Sequence, residues 1–240
     1  MEDKDLLFLN DCSNDLLVLL ADTLVYDEKG NERLTEELSS KSVYKNNYPN
    51  NMKVVIPSMV DELQRFGGNT ILNMFRGHGV AYREILEQVA KRIGVNFNSC
   101  SSTELIEQYL LQHIFVMSID KMTEDDVKHL SHTYTKEELK DMIIRLKPSS
   151  PLFVKLAGII VLQLSKKFAQ NAALGYLAKI AASRSFAVFA GPVAWALTAI
   201  WTIFDIAGPA YRVLVPCTIT IAYMRQVSRF SDDELNKILG

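Results

Sequence analysis

Glycine and proline are scarce, with 11 and 7 in 240 residues, too few for a turn-rich β-sandwich or a collagen-like chain. Cysteine is scarcer still. Cys12, Cys100 and Cys217 are odd in number, far apart and in no metal-ligand spacing, which excludes a disulfide scaffold and fits free thiols in a reducing cytoplasm. Net charge is almost absent at −2, so no nucleic-acid partner is expected. The start, Met1-Glu2-Asp3-Lys4-Asp5, lacks the basic leader of a signal peptide, and secretion is not expected. No P-loop, Gly-x-Ser-x-Gly or His-Glu-x-x-His pattern occurs, so no cofactor is implied and no residue set nominates an enzyme.

Helical punctuation is abundant. Apolar residues make up 48% and charged residues 22%, enough for a sizeable core. Tyr82, Ile85, Leu86, Val89 and Ile93 share one helical face, and Gly94 supplies a stop. Ser101-x-x-Glu104, Thr135-x-x-Glu138 and Ser231-x-x-Glu234 read as capping boxes, with Ser13 and Thr123 as further caps. Short helices are expected near Thr35-Glu36-Glu37 and from Ser58 to Phe66. Ser150-Pro151, Gly191-Pro192 and Gly208-Pro209 place proline at a first helical position, where its missing N–H costs nothing. They predict helices over 151 to about 183, 192–206 and 209–229, the last bent at Pro216. The only β-branched run, residues 213–221, holds that proline. The fold class is all-α: a multi-helix globular bundle with an apolar C-terminal helical hairpin.

Charge divides the chain. Residues 149–240 carry nine Lys/Arg and four acids, net +5, and residues 1–148 are left at −7. The organisation reads as a short N-terminal helical segment (1–44), a polar linker (45–57), a central acidic helical region (58–148) and a basic, hydrophobic C-terminal helical region (149–240). Residues 185–204 hold no charge over 20 positions, the length of a membrane span. A core hairpin buried by the preceding helices explains this run, and so does a hairpin that enters or lies on a bilayer. Phe186, Phe189, Trp195, Leu197, Trp201 and Phe204 are then the surface for an anionic membrane or a hydrophobic client protein. If the hairpin is buried, residues 186–203 are expected to be mostly buried, and Asp205 needs a basic partner among Arg184, Arg212 and Arg225. An oligomer stays open. The chain fits a cytoplasmic protein, with peripheral association on the inner face of the membrane under the second reading.

Asp5-x-x-Phe8-Leu9-x-x-Cys12-Ser13 and Glu28-Lys29-Gly30-x-x-Arg33-Leu34 open a series of blocks that spans the chain. Glu62-Leu63-Gln64-x-Phe66-Gly67-Gly68-Asn69-x-Ile71 and Phe75-Arg76-Gly77-His78-Gly79-x-x-Tyr82-Arg83-x-Ile85-Leu86 follow. Gly191-Pro192 and Ala210-Tyr211-Arg212-Val213-x-x-Pro216 close it. Together they resemble the YaaW-like bacterial family, which implies an architecture and no reaction. The central region is similar, more distantly, to the ubiquinol–cytochrome c chaperones, helical assembly factors for a membrane protein.

Two clusters are candidates for chemistry. Arg76, His78, Tyr82 and Arg83 surround a pair of glycines. Either Arg76, His78 and Arg83 form a polar node that joins the acidic front to the hairpin, with Tyr82 and Ile85 packed beneath, or the cluster binds a small anion. Asp125, His129 and His132 stand at i, i+4 and i+7 and form at most half a metal site, a solvated helix face being the alternative. The functional expectation is a non-enzymatic helical protein that engages a membrane surface or client helices, with an anion-binding or catalytic protein built on Arg76–Arg83 as the alternative.

Overall fold

Local capping chemistry sets several helix starts. In the computed structural model, which describes residues 3–27, 29–68, 80–130, 134–168, 187–208 and 210–239, the described residues form helices and turns, with an isolated bridge between Tyr26 and Glu32. A 3-10 helix, η1 (Lys4–Asp11), precedes α1 (Asn14–Val25) and α2 (Ser42–Asn47). A 3-10 turn, η2 (Met52–Val55), leads into α3 (Ile56–Gly68). Then come α4 (Tyr82–Arg92), α5 (Thr103–Lys121), α6 (Glu124–Leu130), α7 (Lys136–Arg145), α8 (Pro151–Phe168), α9 (Ala187–Ala207), α10 (Tyr211–Val227) and α11 (Asp232–Leu239).

Thr135 and Glu138 form the expected reciprocal capping box, and Ser231 with Glu234 does the same at α11. Gly94 ends α4 with φ of +83°, a conformation that suits glycine. Three expectations shift. Ser102, one residue later than Ser101, caps α5 by accepting from the Leu105 N–H. Ser13 precedes α1 without a side-chain cap bond. Residues 35–37 are turns, because their backbone groups are spent on α3: Arg65 donates to the Thr35 carbonyl and the Glu37 N–H donates to Glu62.

Residues 45–57, read as a polar linker, are largely exposed but anchored to the body at particular positions. Met52 and Val55 are fully buried, and Asn14 holds both the Pro49 carbonyl and the Met52 N–H. Further on, Gly67 lets α3 close on α4, since a Cβ there would sit 2.8 Å from Ile85.

Of the C-terminal helices, α10 keeps close to its expected span through Pro216, and α9 departs from its expected start. α10 is buried on every side from Val213 to Val227 and packs against η1, α1, α3, α4, α5, α8 and α9. It is the axis of the molecule, enclosed by the other helices on all sides. Pro216 withholds the N–H that would serve the Arg212 carbonyl, and Arg33 Nη2 donates to that carbonyl instead, at 3.4 Å. α9 does not begin at Pro192; it runs through it. The buried stripe Phe189, Val193, Ala196, Leu197, Ile200 and Trp201 spans both sides of the proline, so packing on α5 and α8 holds a turn that proline disfavours.

Candidate functional site

The acidic front and the basic back meet in the core. Glu107 of α5 is fully buried. Arg225 of α10 donates to it from Nε at 2.6 Å and from Nη2 at 3.3 Å. The Tyr82 hydroxyl, at the start of α4, donates to the same carboxylate at 2.8 Å. Arg225 also donates to the Asp5 carbonyl of η1, and its guanidinium lies 4.0 Å from the centre of the Phe8 ring. Four elements are therefore clasped by one ion pair.

Burial pushes the Glu107 carboxyl above its ordinary range, although Arg225 and Tyr82 pull it down. Burial, then the nearby carboxylate, raises the Tyr82 phenol well above 10. Desolvation lowers the Arg225 pKa, but the charge and hydrogen bonds of Glu107, with Tyr82 and Glu104 nearby, raise it on balance, so that side chain stays cationic. Desolvation of such a pair consumes much of its attraction, which makes it a device for specifying packing more than for adding stability.

A second buried carboxylate, Glu62 of α3, accepts from the Glu37 N–H at 3.0 Å and from Arg65, fixing the 33–38 turn against the bundle.

The outward face of α9 is the other unusual feature. Gly191, Trp195, Thr198 and Thr202 are exposed at helical spacing, with Trp195 at 43%. Thr198 turns its hydroxyl back to the Ala194 carbonyl and Thr202 to that of Thr198. The face thus offers methyl groups, small residues and one indole, with no charge of its own. Lys121 of α5 lies over the Trp195 ring at 4.0 Å, a contact worth roughly 0.5–1 kcal/mol at an exposed site. Inward, Phe189 meets Phe115 edge to face at 6.0 Å. Among the described residues, no helix is long and apolar enough to cross a membrane.

The predicted residues divide accordingly. Tyr82 sits in a polar node, but its hydroxyl works there and its partners are Glu107 and Arg225. Arg83 faces away, bonding Glu87 at 2.7 Å and the Ser99 carbonyl at 3.0 Å. Arg76 and His78 lie outside the described residues. Phe189, Leu197 and Trp201 are buried core, so of the surface set only Trp195 is shown exposed. Of the described residues 188–203, expected to be mostly buried, Gly191, Trp195, Thr198 and Thr202 are exposed and the rest are buried or half-buried. Phe186 and the side chains of Phe204 and Asp205 lie outside the description; Arg225, a candidate partner for Asp205, is committed to Glu107. Asp125 is a solvated residue, its side chain 87% exposed and 3.9 Å from Lys128. His132 and the His129 side chain are not described, and no metal-binding group of three or more appears among the described residues.

Sequence alone does not single out Glu107, because two glutamates three apart on a helix resemble an ordinary solvated face. The usable signal was its place among Leu110, Leu111 and Ile114, three and more residues along the same buried helix. Arg225 carried the same signal inside the apolar run of α10.

Residues 1–34 match a family model described as a domain of unknown function, DUF3944. The chain is 30% identical over 240 residues to a UPF0174 protein of Helicobacter pylori strain J99, covering 97% of this chain and 94% of that one. It is 31% identical over 231 residues to the UPF0174 protein YaaW of Escherichia coli K12, covering 95% of each. A further UPF0174 protein, from Helicobacter pylori strain 26695, is 32% identical over 204 residues, 80% of this chain and 97% of that one. No solved structure matches the chain.

Proposed function

The chain belongs to the UPF0174 family, a membership that carries no reaction, and from that premise we propose that it is a helical interaction protein which docks an apolar helix of a client protein along α9. The observation that carries the reading is the exposed, uncharged face of Gly191, Trp195, Thr198 and Thr202 on a helix whose other side is core. Small residues let a second helix approach closely, and threonine hydroxyls already bonded to their own backbone need no water. A Cβ at Gly191 would meet nothing within 4 Å, so the approach is open there. Trp195 supplies the large anchor that such contacts centre on.

Charge around α9 is mixed: α6, which packs on α9, carries Glu124, Asp125 and Asp126 in its first turn, and Lys121 lies over Trp195. The small, uncharged face, suited to close helix approach, is what favours a protein helix.

Fluorescence tests the reading, because the two tryptophans divide into one exposed and one buried. In Trp201→Phe, emission reports Trp195 alone. A synthetic leucine–alanine helical peptide should shift that emission to the blue and protect it from acrylamide, and Thr198→Arg should abolish both effects. Protection by phosphatidylglycerol vesicles and not by the peptide would overturn the client-helix reading in favour of a membrane surface. Protection by neither would overturn both.

A further inference from the structure

A groove of about 460 Å³ runs between η1 and α3. Leu6, Leu7, Pro57 and Val60 supply its apolar surface and Asp3 and Asp61 its carboxylates, and among the described residues that line it there is no lysine or arginine. η1 is amphipathic in an unusual sense: Leu6 and Leu9 are buried, while Leu7 is 43% exposed into the groove.

Asp3 is held firmly. Its carboxylate accepts from the Tyr82 N–H at 2.7 Å, from Gln64 Nε2 at 3.0 Å and from the Asp5 N–H at 3.1 Å. These three donors among the described residues are neutral and orient the carboxylate. Asp61, across the groove, keeps its side chain 72% exposed while Lys41 approaches one oxygen at 3.0 Å. Such an exposed pair is screened and weak. The groove therefore combines an apolar floor with fixed negative charge and lies in the half of the chain that carries −7.

We propose that this groove docks an amphipathic segment of a partner protein. The segment's aliphatic side chains lie on Leu7 and Val60, and a lysine or arginine reaches Asp3 and Asp61. Charge complementarity selects the occupant: a basic amphipathic helix presents apolar and cationic groups at i, i+3 and i+4. The site shares no residue with α9 and can fail independently of it.

The test uses a fluorescein-labelled amphipathic peptide of leucine and lysine, with a counterpart in which glutamate replaces lysine, and reads anisotropy against the full chain at low and physiological salt. The lysine peptide should bind and the glutamate peptide should not. Leu7→Asp and Asp61→Lys should each weaken binding about tenfold or more. Both positions are exposed, so the variants should melt near the parent temperature. Glu137→Lys, a charge reversal on α7, should leave binding unchanged. Equal weakening by Glu137→Lys, or full binding by Leu7→Asp, would show a general response to an acidic surface and overturn the site. Absence of binding by the lysine peptide would overturn it as well.

Discussion

Glu107 and Arg225 show how a single buried pair limits what its neighbours can be. Each is tolerable only because the other is present. Glu107→Gln leaves the Arg225 guanidinium in the core without its counter-charge, and the expected loss is about 3–5 kcal/mol, read as a lowered midpoint in urea. The double variant Glu107→Leu with Arg225→Met should recover most of that loss, because it buries no charge at all. A double variant as weak as Glu107→Gln would contradict this account. His113 gives a separate residue-scale prediction. Burial lowers its pKa below the ordinary 6.5, and the Ile93 backbone pulls weakly the other way. The unfolded chain therefore binds this proton more readily than the folded one. Stability should be full above 6.5 and should fall as pH drops from there toward the folded-state pKa. His113→Gln should flatten that part of the profile. An unchanged slope between wild type and variant would show that His113 does not contribute.

Elements were legible where local chemistry decides them. The Thr135 and Ser231 boxes, the Gly94 stop and the apolar face of α4 all depend on residues within one or two turns, and sequence carries that information directly. Pro216 was read inside its helix, as it is, but Pro192 was less legible. A proline is a good helix start in isolation, and only the buried stripe of α9 explains why Pro192 lies inside a helix. Long-range partners such as Arg33 reaching Arg212 have no local signature. That contact makes its own prediction. Pro216→Ala restores an N–H to the Arg212 carbonyl, so Arg33→Ala should cost less in the Pro216→Ala background than in the wild type. The expected coupling is about 1 kcal/mol, measured by a double-mutant cycle in denaturant. Additive effects would mean the 3.4 Å contact does not stand in for the missing helical bond.

At the scale of the molecule, the division of charge along the sequence suggested segments, whereas the packing makes one body. Buried apolar residues form a single cluster from Leu6 of η1 to Leu239 of α11. Its centre is α10, late in the chain, and the helices of the acidic front close around it. The N-terminal segment, the 45–57 stretch and the central region each rest on that helix or on a neighbour that does. Residues of the front half therefore complete their burial only when residues 211–227 are in place. The physical expectation is a single cooperative transition, since no subset of these elements keeps its core without α10. Far-UV circular dichroism follows all the helices at once. Fluorescence of Trp195→Phe follows Trp201, buried to 8% exposure on α9. The two urea curves should superimpose, with one midpoint and one slope. An earlier fluorescence transition would instead show that α9 leaves the bundle while α10 and the front half stay folded. That outcome would make the docking helix a separately movable element and contradict the one-body packing argued here.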